Sequence, residues 1–107
     1  MGKIKDKVIL NFIKKHMRDI SEHYSPERII FFGSRVKGTN LETSDIDMII
    51  VSDKFSGIPF PQRISDFYTL LKISENVDVI CLSQDEFDER SNKITVVREA
   101  VREGIEI

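Results

Sequence analysis

The chain has 107 residues, of which 32% are charged and 40% apolar, and a net charge of −2. That length is expected to form one domain, 1–107, whose core is large enough to fold unaided. The near-neutral balance argues against a dedicated nucleic-acid binder, the single Cys81 excludes an internal disulfide, and the absence of any membrane-length apolar run or signal-peptide pattern points to a cytoplasmic protein.

Ile4, Val8, Ile9, Phe12, Ile13, Met17 and Ile20 recur at helical spacing, with Lys5, Lys7, Lys14, Lys15 and Arg18 on the other face. They predict an amphipathic helix that Ser25-Pro26 ends. Arg28–Phe32 reads as a strand, Gly33–Gly38 as a turn or short helix, Thr39–Ser44 as a polar loop and Asp45–Val51 as a second strand. Ser52–Pro61 is irregular, Gln62–Ser74 a helix with an Ile64, Phe67, Tyr68, Leu70 and Leu71 stripe, and Val77–Leu82 a third strand. Ser83-x-x-Glu86 is a capping box that opens a fourth helix. A last helix over Ile94–Glu103 ends at Gly104, with Ile105 and Ile107 beyond it to cover the sheet or meet a partner. Strands alternating with helices predict an α/β layer on a small mixed sheet.

Several residues have a plain structural reading. Cys81 lies in an apolar run and is expected to be a buried hydrophobe. His16 and His23 are expected to form a surface pair, since no third metal ligand stands near. Asp85, Glu86, Asp88 and Glu89 fall in the first turns of a helix, a favourable place for solvated negative charge. Tyr24 and Tyr68 are expected to pack, with a role as acceptor or base-stacking residue left open.

The chemistry is concentrated in the middle of the chain. Asp45 and Asp47 open an apolar strand, and alternate strand residues share a face, so the two carboxylates project together. Paired carboxylates repel, and a divalent cation is the usual compensation; Mg²⁺ suits one or two carboxylates plus substrate phosphates. Twelve positions before Asp45, Gly33-Ser34 follows the apolar strand and could open a helix whose free N–H groups receive phosphate. Asp78 stands between Val77 and Val79, although Asp is depleted in strands.

The series Gly33-Ser34, Gly38, Ser44-Asp45-x-Asp47, then Asp78 resembles the nucleotidyltransferase superfamily that includes DNA polymerase β, and most closely its minimal nucleotidyltransferases. The resemblance covers Ile29 to Leu82, with Val36 where Ala is common and Lys37 where Arg is common. It implies a polymerase β-like fold and a catalytic, metal-binding set of Asp45, Asp47 and Asp78. Two Mg²⁺, or Mn²⁺, would be the cofactors and ATP or another NTP the donor. It places the β- and γ-phosphates at Gly33, where the missing side chain permits close approach, and at Ser34, with Arg35 and Lys37 as phosphate neighbours. It further implies transfer of AMP to a hydroxyl of a HEPN-domain partner, with the chain acting as an antitoxin. A contact-only binding module that neutralises a partner is the alternative, and homo-oligomerisation stays open. An aminoglycoside-type enzyme is disfavoured, because no acceptor-binding domain follows.

Overall fold

The computed structural model describes residues 3–93 and 95–107. Helix α1 spans Lys7–Tyr24, β1 Arg28–Phe32, α2 Ser34–Lys37, β2 Ile46–Val51, α3 Phe60–Leu70, β3 Val77–Leu82, α4 Gln84–Ser91, α5 Val96–Glu103 and β4 Ile105–Glu106. The strands form one mixed sheet in the order β3-β2-β1-β4. β2 runs parallel to β3, and β1 is antiparallel to both β2 and β4. This is the α/β layer on a small mixed sheet that the alternating elements predict.

Alternation along the strands divides the core in two. Ile29, Phe31, Ile46, Met48, Ile50, Val79 and Cys81 pack with Ile9, Phe12 and Ile20 of α1 and Phe67 of α3. Ile30, Ile49, Val51 and Leu82 pack with Phe87 of α4 and Val97 and Ala100 of α5. Asp47 and Asp78 share the second face, because they alternate with Ile46, Met48, Val77 and Val79 of the first. Cys81 is buried, and burial pushes its thiol up to about 12, so it behaves as the small hydrophobe expected.

Several boundaries differ from the sequence pattern. α1 starts at Lys7 because Asp6 caps it, its carboxylate accepting from Ile9 N at 2.9 Å; Ile4 precedes the helix yet is buried. His16 is not on the surface: it occupies the buried stripe between Phe12 and Ile20 and pairs with Glu75, Nε2 to Oε1 at 2.9 Å, while His23 is exposed. α3 begins at Phe60, since Pro61 is tolerated in a first turn whose amides have no helical partner, and it stops at Leu70. Its buried polar side chain is Arg63, while Ile64 and Leu70 are exposed. The helix start expected at Ile94 falls outside the described residues; α5 is capped by Thr95, whose hydroxyl accepts from Arg98 N. Gly104 ends α5 with φ −82°, not in the left-handed region. It must be glycine because a Cβ there would lie 2.4 Å from Ala100 O and 2.7 Å from Phe31 O. β4 has no pattern of its own; Ile105 and Glu106 become a strand by pairing with Phe31 and Ile30.

Glu86 closes the capping box and is more than a solvated helix-end charge. Its carboxylate receives Arg63 Nη1 at 2.6 Å, and Arg63 also donates to Ile58 O and Cys81 O. The Arg63 guanidinium, with help from Ser83, holds the Glu86 carboxyl down from an ordinary 4.5 to about 2. A carboxylate lowered in the native state stabilises the fold above its unfolded value and loses that contribution as pH falls through the native one. Wild-type stability is therefore expected to fall between pH 4.5 and about 2 in part through this group. Urea unfolding across that window checks this: Glu86→Gln is expected to start less stable and to show a flatter acid limb. Parallel acid limbs for the two proteins would contradict it.

Candidate functional site

The site lies at the end of the sheet where β2 and β3 begin. The parallel register sets Asp47 opposite Asp78, and Asp47 is also opposite Phe32 of β1. Asp45 directly precedes β2, one residue outside the strand expected for it, and is exposed. Asp78 is exposed and Asp47 half-buried. Among the described residues, no cation lies within ion-pair distance of any of the three. Asp47 bears the cost: burial first, then the charges of Asp78 and Asp45, push its carboxyl above the ordinary carboxylate range.

Gly33 joins β1 to α2 with φ 81°, in the region that favours glycine. A Cβ on Gly33 would lie 2.1 Å from Asp47 Oδ2. The missing side chain thus first makes room for the Asp47 carboxylate, so the turn and the acidic pair are in direct contact. Val36 and Lys37 are the first amides of α2 to bond back, both to Gly33 O at 3.1 Å. The amides of Ser34 and Arg35 come before that ladder, and the half-buried Ser34 hydroxyl bonds no described residue.

Arg35 and Lys37, the two basic residues of α2, are both engaged within the fold. Arg35 is buried; its Nε donates to Ser44 O at 2.9 Å, its Nη2 to Glu42 O at 2.8 Å and its Nη1 to Asp6 Oδ2 at 3.1 Å. One guanidinium thereby ties α2 to the loop that delivers Asp45 and to the cap of α1. Lys37 is exposed and pairs with Glu103 of α5 at 2.8 Å, a contact that raises its pKa. Ser44 acts as a turn residue, its hydroxyl accepting from Leu41 N at 2.9 Å. Tyr68 holds the start of β3: its hydroxyl donates to Val77 O and accepts from Val77 N at 2.8 Å, one residue from Asp78.

Asp6 and Arg63 do not stand out in the sequence. Asp6 is legible there as a cap ahead of an apolar-periodic run, but its second bond, to Arg35, spans 29 positions.

Among the described residues, no three acidic, histidine or cysteine side chains form a ready-made metal cage. The donors present nevertheless fit Mg²⁺, which takes a few hard carboxylate oxygens and completes its shell with water and phosphate. Asp45 and Asp47 supply such oxygens without a counter-cation among the described residues, and Asp78 lies beside Asp47.

Comparison with known proteins places this arrangement in a family. Residues 13–104 match the family model described as "Nucleotidyltransferase domain". A crystal structure of a "putative nucleotidyltransferase" from Sulfolobus solfataricus is 29% identical, with a TM-score of 0.58 over 83% of this chain and 84% of that one. A Methanocaldococcus jannaschii protein named "putative protein adenylyltransferase" is 38% identical over 42 residues, 39% of this chain. That match spans 49% of the relative's length. The chain belongs to the nucleotidyltransferase domain family. Among the described residues, no helix is long and apolar enough to cross a membrane.

Two outcomes follow from the geometry. Removing one partner of a buried ion pair strands the other, so Arg35→Ala is expected to cost about 3–5 kcal/mol in denaturant unfolding. Arg35→Lys should recover only part of this, because an ammonium cannot make three bonds in the plane of a fork. A loss near zero for Arg35→Ala would show that the clamp is not formed. The second concerns Asp47. A carboxyl raised in the native state favours the fold at low pH and weakens it as pH rises through its native value. Asp47→Asn should therefore raise the melting temperature of the metal-free protein at neutral pH, and the gain should shrink toward pH 4, near the ordinary carboxylate value.

Proposed function

We propose that this chain is a Mg²⁺-dependent enzyme that moves the NMP of an NTP, AMP from ATP, onto a hydroxyl of a partner protein. The carrying observation is that Asp47 lies opposite Asp78 and against the Gly33 turn, with no counter-cation among the described residues. A structural role would call for a compensating Arg or Lys, and the nearby Arg35 and Lys37 are bound to Asp6 and Glu103 instead. The name of the Methanocaldococcus relative supports a protein acceptor and adenylyl transfer. The minimal nucleotidyltransferase resemblance supports a HEPN-domain partner that the chain neutralises as an antitoxin in the cytoplasm.

In this reading Asp45 and Asp47 hold Mg²⁺, and Asp78 completes the set on the acceptor side. When bound, the metal would neutralise charge on the attacking and leaving oxygens. The chain's own contributions are positional and protonic. The Ser34 and Arg35 amides and the Ser34 hydroxyl receive the β- and γ-phosphates, which aligns the α-phosphorus with the carboxylates. Lys37 is paired with Glu103 and ties α2 to α5, and Arg35 acts from behind by fixing the Glu42–Ser44 loop that carries Asp45. The acceptor oxygen forms a bond to the α-phosphorus while the bond to the β-bridging oxygen breaks. Pyrophosphate leaves, and the hydroxyl proton passes to the exposed Asp78 carboxylate.

Two measurements test the proposal. The melting temperature should rise with Mg²⁺ and ATP together, and the rise should vanish in the Asp45→Asn, Asp47→Asn double variant. Asp78→Asn should keep the rise yet lower AMP incorporation into the partner, read by mass spectrometry, by at least about 100-fold. Labelling at the wild-type rate would make Asp78 structural. A wild type that labels nothing but still silences a toxic partner would favour the contact-only module.

A further inference from the structure

On the carboxylate face of the sheet a cavity of about 390 Å³ adjoins the Gly33 turn. Its floor is Gly33 and Phe32, the latter directly opposite Asp47. Its far wall is the first turn of α5, where Val96 is 58% exposed, and its rim carries Glu99, Glu103 and Lys37. The volume is within the range of small-molecule sites, and apolar walls with a few polar groups are their usual character.

The geometry points to this cavity as the subsite for the nucleobase, with Phe32 as its stacking surface and Glu99 as the acceptor that selects a base bearing an exocyclic amine. The inference rests on the triphosphate reading of Gly33-Ser34 given above. Four observations carry it. First, the cavity shares Gly33 with the turn, so a nucleotide held there by its phosphates has this space within reach. Second, its rim repels phosphate: Glu99 and Glu103 are both acidic, and Lys37 is already bound to Glu103 at 2.8 Å. The occupant is therefore the uncharged part of the nucleotide. Third, half-buried Phe32 and exposed Val96 both line the cavity and give it apolar walls for a flat ring, and base–aromatic stacking tolerates every base. Fourth, among the described residues Glu99 is held only by Arg102, at 3.8 Å on an exposed surface, so its carboxylate is available. An ionised carboxylate only accepts hydrogen bonds. Adenine and cytosine offer it an amino group, and uracil at the same place offers a carbonyl that it repels.

The test is calorimetric binding with Mg²⁺ of three ligands: ATP, UTP and inorganic tripolyphosphate. Wild type should bind ATP about tenfold more tightly than UTP, the worth of one charge-assisted hydrogen bond. Glu99→Ala should erase that ratio by weakening ATP, with tripolyphosphate affinity unchanged. Phe32→Leu keeps an apolar side chain under α5 and should weaken ATP and UTP alike by about tenfold, again sparing tripolyphosphate. If tripolyphosphate binds but neither variant alters the nucleotide affinities, the base lies elsewhere and the inference fails alone. It fails alone, too, if the variants block acceptor labelling at unchanged ATP affinity, for the cavity would then hold the acceptor. If tripolyphosphate does not bind wild type, the phosphate reading fails and takes this inference with it.

Discussion

The register of β2 against β3 is the constraint on which the site depends. Asp47 meets Asp78 only because Ile46 is opposite Val77 and the next five residues follow in step. A one-residue slip of either strand would turn its aspartate to the α1 face and expose its core residues. The hydrophobic pattern prevents this: Ile46, Met48 and Ile50 are each no more than 1% exposed on one face, and Ile49 and Val51 are fully buried on the other. Ile46 N donates to Asn76 O at 3.0 Å, and Tyr68 grips both polar atoms of Val77, so the start of the pairing is fixed as well. Core burial and two local clamps thus hold like charges together that repulsion alone would separate.

That arrangement is costly to the fold and useful to the chemistry. A Gly33 with positive φ, a carboxylate pressed into the space of its missing side chain and a second carboxylate opposite each cost stability. What compensates lies away from the carboxylates. Arg35 neutralises Asp6 and satisfies two loop carbonyls, while Arg63 satisfies Glu86 and two more. In both cases a buried guanidinium is committed to the fold; Arg35, which holds the loop before Asp45, contributes rigidity there and leaves the acidic set unbalanced. In the proposed reading, that imbalance would make a bound cation favourable there.

The sheet, its face assignments and the order of the elements are legible in the sequence, because period-2 and period-3.6 patterns are local. Strand periodicity brings Asp45 beside Asp47 on paper, but Asp45 lies just ahead of β2, where the loop held by Arg35 delivers it and its charge still acts on Asp47. Legibility ends where a partner distant in sequence decides the outcome. β4 is a strand only because β1 offers an edge, and His16 is buried only because Glu75, 59 positions on, receives its ring nitrogen. His16 does carry a local signal, standing one turn from both Phe12 and Ile20. Arg35 is the harder case. A basic residue after Gly-Ser suggests phosphate, and nothing in its neighbourhood reveals that Asp6, across a whole helix, will claim its charge.

The same residue explains how the Gly33-Ser34 turn and the carboxylates become one unit. α2 has only four residues, too few to be stable by its own hydrogen bonds. It is held at one end by contact between Gly33 and Asp47, in the middle by Arg35, and at the far end by Lys37 on Glu103 of α5. Each tie leads to a different part of the site: the acidic strand, the loop before Asp45 and the helix that walls the adjoining cavity. A shift of α2 would therefore displace all three at once. In the proposed reading, phosphates bound at its first turn would act on a segment whose position already fixes Asp45, Asp47 and the α5 wall. Binding energy at the turn would in that way orient the reacting phosphorus, which is where positioning has its largest effect on rate.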